Sequence, residues 1–88
     1  MYFTYIIYSQ SNDMFFKGFT TEPNKTLELH NYDMNHITAN KGPWVLMYLK
    51  EHSIKKQALT EKRRISRLSH KSILELINSP DNIAPPID

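Results

Sequence analysis

At 88 residues, with 40% hydrophobic, 11% aromatic and 23% charged residues, the chain has the composition of one small globular domain, which excludes disordered, fibrous and multi-domain organisation. It contains no cysteine, so disulfides and thiolate metal sites are excluded and a reducing compartment, the cytoplasm, is expected. A net charge of +2 is too small to imply a polyanionic partner, so the placement of the basic residues, mostly in the second half, matters more than their number.

Tyr2-Phe3-Thr4-Tyr5-Ile6-Ile7-Tyr8 is almost wholly β-branched or aromatic, which predicts a central strand buried on both faces. The run is too short, and lacks the positive flank, for a signal peptide or a membrane span. Ser9-Gln10-Ser11-Asn12-Asp13 is a polar turn cluster, and the aromatic pattern resumes over 14–19, predicting a hairpin. Thr20 or Thr21 as N-cap, Glu22 and Pro23 then announce a helix over 22–31. Residues 32–43 mix Asn, Asp, His, Gly and Pro without a period, a loop long enough to suggest a functional role.

Trp44-Val45-Leu46-Met47-Tyr48-Leu49 predicts a third strand, with Trp44 as a core anchor. From Ser53 as N-cap, Ile54, Ala58, Ile65 and Leu68 recur at helical spacing and predict an amphipathic helix over 53–68. Ser69 caps a last short helix carrying Ile73, Leu74, Leu76 and Ile77. Residues 79–88 have the proline density of a flexible tail, which leaves 1–78 as the domain. The order strand, strand, helix, strand, helix, helix implies an α+β fold, a three-stranded, mainly antiparallel sheet flanked by helices.

Five local phrases in this order resemble the GIY-YIG endonuclease domain, in particular its compact single-domain bacterial members. Phe3-Thr4-Tyr5 stands where the first half-motif would be, and Phe16-Lys17-Gly18 followed by Phe19-Thr20-Thr21 stands for the second. Leu27-Glu28-Leu29-His30-Asn31 is similar to the family's Leu-x-x-His-Asn, and Pro43-Trp44-Val45-Leu46-Met47-Tyr48 to its Pro-Trp-x-Leu-x-Tyr. Ala58-Leu59-Thr60-Glu61-Lys62-Arg63-Arg64-Ile65 matches its Ala-x-x-x-Glu-Lys-x-Ile only in part. No phrase is specific alone; the joint order and spacing carry the resemblance.

Phosphodiester hydrolysis needs a nucleophilic water, a positive group at the phosphate and, as a rule, a metal held by a carboxylate. The resemblance implies that two tyrosines, a histidine, a helical arginine and a glutamate supply these. Tyr5 and His30 keep their positions, as does Gly18, but Phe16 replaces the second tyrosine, Thr26 the arginine and Lys62 the glutamate. Phe16 lacks a hydroxyl, and Lys62 puts a positive charge where a cation would bind. Lys25 is next to the arginine position but turned by about 100° on a helix. Glu61 reaches the metal position only if the helix register shifts by one residue. The resemblance thus implies a DNA-binding domain with lost or much reduced endonuclease activity and no cofactor, the alternatives being an active magnesium- or manganese-dependent nuclease with a shifted site, or a protein-interaction module.

Each site residue also has a structural reading. Tyr5 and Phe16 suit aromatic packing against a helix, His30 a dipole partner at a helix C-terminus, and Gly18 a close approach of backbone. Lys55, Lys56, Arg63, Arg64, Arg67 and Lys71 cluster on or beside one helix, either as a solvated face or as a surface for DNA phosphates.

Overall fold

Tyr2–Ser9 forms strand β1, and its unbroken run of branched and aromatic side chains accounts for its place in the middle of the sheet. In the computed structural model, which describes residues 1–32 and 37–85, β1 pairs antiparallel with β2 (Met14–Thr20) and with β3 (Trp44–His52). The strand order is β2-β1-β3. Helices α1 (Pro23–Asn31), α2 (Lys55–Ser66) and α3 (His70–Ile77) complete the order β-β-α-β-α-α. The expected α+β arrangement is present, and its sheet is antiparallel throughout rather than mixed.

Alternation along β1 feeds two cores. Tyr5 and Ile7 cluster with Trp44 and Leu49, with Leu27 of α1 and Phe16 of β2 packed against them. Ile6 points the other way and clusters with Tyr48, Ile65 of α2 and Ile73 of α3. One sheet face therefore meets α1, the other α2 and α3. A register shift opposite Ile6 and Ile7 lets β3 present both Leu46 and Leu49 to the α1 face, two residues that plain alternation would send to opposite faces. In the hairpin between β1 and β2, Asp13 adopts a left-handed φ of 47° and its carboxylate accepts the Tyr8 hydroxyl at 2.7 Å.

Helix starts differ from the expected caps. Thr20 stays in β2 and its hydroxyl accepts the Glu22 N–H at 3.0 Å, so Glu22 becomes the N-cap of α1 without a side-chain cap bond. Strand β3 runs on to His52, which moves the N-cap of α2 from Ser53 to Ile54, and α2 ends at Ser66. Ser69 caps α3 as expected, accepting the Ser72 N–H at 3.2 Å.

The segment expected to fray after residue 78 is tied down as far as residue 85. Asn82 donates from its amide to Met47 O and Ile77 O, both at 2.8 Å, and accepts Leu49 N–H at 3.1 Å, while Ile83 N–H reaches Leu49 O at 3.0 Å. Ala84 then packs on the Tyr5 core. These bonds occupy part of the outer edge of β3, which would otherwise expose unpaired backbone. The expected 32–43 loop falls partly on residues 33–36, and the tail ends on 86–88; both stretches lie outside the described residues. Among the described residues no helix is long and apolar enough to cross a membrane.

Candidate active site

Gly18 faces Tyr5 across the β1–β2 ladder, and the tyrosine ring lies against it. A Cβ at Gly18 would stand 2.5 Å from the Tyr5 hydroxyl, so glycine is needed here for a side chain to pass, not for an unusual backbone angle. The ring's path carries its hydroxyl to His30 on the last turn of α1, where it meets Nε2 at 2.9 Å. His30 Nδ1 meets the Thr38 hydroxyl at 2.7 Å, and the Thr38 carbonyl accepts the Trp44 indole N–H at 3.3 Å. Phe16 closes one side, its ring centroid 5.0 Å from that of His30 and 6.3 Å from that of Tyr5.

The reading of His30 as a dipole partner at the helix end is corrected. It is only 2% exposed, with Tyr5 at 5% and Thr38 at 0%. Both imidazole nitrogens are engaged, one as donor and one as acceptor, and neither is left for a metal. Burial lowers the His30 pKa and pushes that of Tyr5 up to about 12, so both are neutral near pH 7. Tyr5, Phe16, Gly18 and His30 are thus brought together in one largely buried cluster.

Thr26 lies one helical turn before His30 and is hydrogen-bonded to Thr20 of β2 through a 2.7 Å hydroxyl pair. The position at which the resemblance implies an arginine therefore carries a short neutral side chain that ties α1 to the strand. Lys25 is no substitute: its side chain is 67% exposed and lies 4.0 Å from Glu22. Lys62 sits on α2, whose buried residues Ala58 and Ile65 pack on the sheet face away from Tyr5. Glu61, the register-shifted alternative, pairs with Arg64 and lines a groove with Lys50 and His52 of β3 on that same far face. The structure therefore separates Glu61 from the Tyr5–His30 pair by the sheet itself.

Among the described residues no group of three or more His, Asp or Glu side chains is placed to hold a metal ion. The described residues do not fit a divalent cation: both nitrogens of His30 are hydrogen-bonded, and Lys62 would bring an ammonium rather than a carboxylate. Lys55, Lys56, Arg63, Arg64, Arg67 and Lys71 are all exposed; Lys56, Arg63 and Arg67, seven and four residues apart, fall on one stripe, with Lys55 and Arg64 to either side of it and Lys71 on α3. Lys55 lies 5.8 Å over the Phe19 ring on the β2 flank, whereas Lys56 borders the groove on the β3 flank.

Two further residues belong to the site, and only one of them, Asn31, has a local signal in the sequence. Thr38 is a lone threonine in an aperiodic loop, and only its proximity to His30 in space gives it a role. Asn31 belongs to the quoted phrase, but its work is structural: its side-chain amide bonds both the N–H and the carbonyl of Trp44, fastening α1 to the start of β3.

The family model for the GIY-YIG catalytic domain matches residues 1–73. The chain belongs to the GIY-YIG family. Among solved structures, the GIY-YIG chain is similar to the UPF0213 protein of Bacillus halodurans, determined by solution NMR, with a TM-score of 0.58 and 19% identity over 92% of this chain and 87% of that one. At that identity the likeness speaks for the fold. No curated protein matches significantly. The family match covers all of the residues Tyr5, Phe16, Gly18, Thr26, His30 and Lys62.

Proposed function

We propose that this GIY-YIG domain binds DNA and has lost all or nearly all endonuclease activity. The observation that carries the reading is the Tyr5–His30–Thr38 chain: a tyrosine 5% exposed, hydrogen-bonded to a saturated histidine and with a raised pKa, has neither the access nor the ionisation to activate a water at a phosphate. Thr26 and Lys62 support it, since one gives up the positive group for the phosphate and the other opposes a metal. The exposed basic residues of α2 and α3 support DNA binding, through phosphates and so with little sequence preference.

The test is a salt titration of binding to labelled duplex, branched and single-stranded DNA in the presence of magnesium. Retention at low salt, falling steeply as salt rises, with the DNA left intact, is the expected result. Rapid cutting would overturn the loss of activity. A second reading, a protein-interaction module, draws on Leu29 (43% exposed), Tyr32 (76%) and Ile37 (60%), apolar side chains facing outward at the end of α1 and in the following loop. No retention of any DNA at low salt would favour it.

A further inference from the structure

We propose that the groove between β3 and the first two turns of α2 binds a phosphate monoester, with the phosphate held between Lys50 and Lys56. The groove holds about 380 Å³ and is lined by Lys50, His52, Ile54, Lys56, Gln57, Thr60 and Glu61. It lies on the sheet face that carries Thr4 and Tyr48, away from the Tyr5–His30 cluster, and none of the family's motif positions lines it. It shares Lys56 with the basic residues offered for DNA phosphates but does not rest on that reading.

Charge decides the ligand class. Among the described residues neither Lys50 nor Lys56 is paired with a carboxylate, whereas the one carboxylate of the groove, Glu61, is engaged by Arg64. Two unpaired ammonium groups facing a neutralised carboxylate leave the groove positive, which selects an anion. Gln57 adds a neutral amide capable of donating to its oxygens, while the Thr60 hydroxyl donates to Lys56 O at 2.8 Å and is left as an acceptor.

His52 refines the choice. The buried Thr4 hydroxyl donates to Ala58 O at 3.0 Å, so its oxygen is left to accept from His52 Nε2 at 3.1 Å. The proton of the neutral imidazole is thereby fixed on Nε2, and Nδ1 is an acceptor. An acceptor beside two cations suits a ligand that brings a hydroxyl donor as well as a phosphate, which a nucleotide sugar does and orthophosphate does less well. Ile54, 52% exposed at the rim, offers an apolar ledge for a base. The ligand class is a nucleoside monophosphate, either free or as the phosphorylated end of a strand.

The proposal is tested by titrating the isotope-labelled full chain with AMP, with a short 5′-phosphorylated oligonucleotide and with the same oligonucleotide lacking the phosphate, following backbone amide shifts. Saturable shifts at His52, Lys56, Gln57 and Thr60 with the two phosphate-bearing ligands, and not with the third, are expected. Lys50→Gln and Lys56→Gln should each weaken binding about tenfold, as loss of one charge-assisted contact would. Tighter binding of AMP identifies a free nucleotide as the ligand, and tighter binding of the oligonucleotide a strand end. The proposal is overturned if neither phosphate ligand shifts these amides, if the unphosphorylated oligonucleotide shifts them equally, or if the double substitution, shown folded by its amide spectrum, binds as tightly as the native chain. Loss of duplex binding alone would bear on the DNA reading and leave this one standing.

Discussion

Of the two glycines, Gly18 is the more tightly constrained, by the passage of the Tyr5 side chain over it. Gly18→Ala puts a methyl into the tyrosine hydroxyl, and the ring has no free direction because Phe16 and His30 flank it. The expected cost is about 1–3 kcal/mol of folding stability, typical of overpacking in a tight core, and it is read from denaturant melts. Tyr5→Phe relieves nothing and leaves a buried His30 nitrogen without its partner, a loss of about 1–3 kcal/mol. Both effects are structural and precede any question of catalysis.

His30 also makes stability depend on pH. Its pKa is lowered in the folded state by burial, so the unfolded chain binds more protons wherever the pH lies between the folded value and the unfolded value of about 6.5. Stability is thus fully present above about pH 6.5 and is lost progressively as the pH falls through the folded value. His52, lowered by burial and by Lys50, contributes with the same sign. Urea melts between pH 7 and pH 5 should show the midpoint falling, and His30→Gln, which cannot titrate, should flatten part of that slope; an unchanged slope in the variant would remove His30 as its source.

At the scale of elements, what the sequence made legible was whatever has a local period. The branched and aromatic run of β1 identified a central strand, and Ala58 and Ile65 at helical spacing identified the inner face of α2. Ile65→Ala should therefore cost about 2–5 kcal/mol, because Ile65 is fully buried against Ile6 and Tyr48. What has no local period was not legible. Asn82 ties a proline-rich segment to β3 through Met47 and Leu49, more than thirty residues away, and nothing in its neighbours announces that. Thr38 is similar, a loop threonine that becomes part of the site only when β3 and α1 bring it to His30. The caps failed for a related reason: β2 kept Thr20 and β3 reached His52, and strand pairing overrode the local preference of Thr and Ser for helix starts.

The charge on α2 was legible in number but not in arrangement. Lys55 lies over Phe19 on the β2 flank and Lys56 borders the groove on the β3 flank, so two members of the run that reads as one basic face leave it toward opposite sides.

For the whole molecule, the family's framework and part of its motif survive together, because they do the same work. Tyr5, Gly18 and His30 hold β1, β2 and α1 together as packing, whereas on the proposed reading Phe16, Thr26 and Lys62 stand in place of the groups that would handle phosphate and metal. The sequence disclosed those three substitutions through the family resemblance. It did not disclose that Glu61 lies beyond the sheet from Tyr5, which only the fold settles.

The measurement that bears most directly on this account is cleavage of branched and duplex DNA with magnesium or manganese, run side by side for the native chain and for Phe16→Tyr/Thr26→Arg/Lys62→Glu. The account predicts no metal-dependent cutting by the native chain and a gain of cutting in the triple variant; efficient cutting by the native chain, abolished by Glu61→Ala, would contradict it.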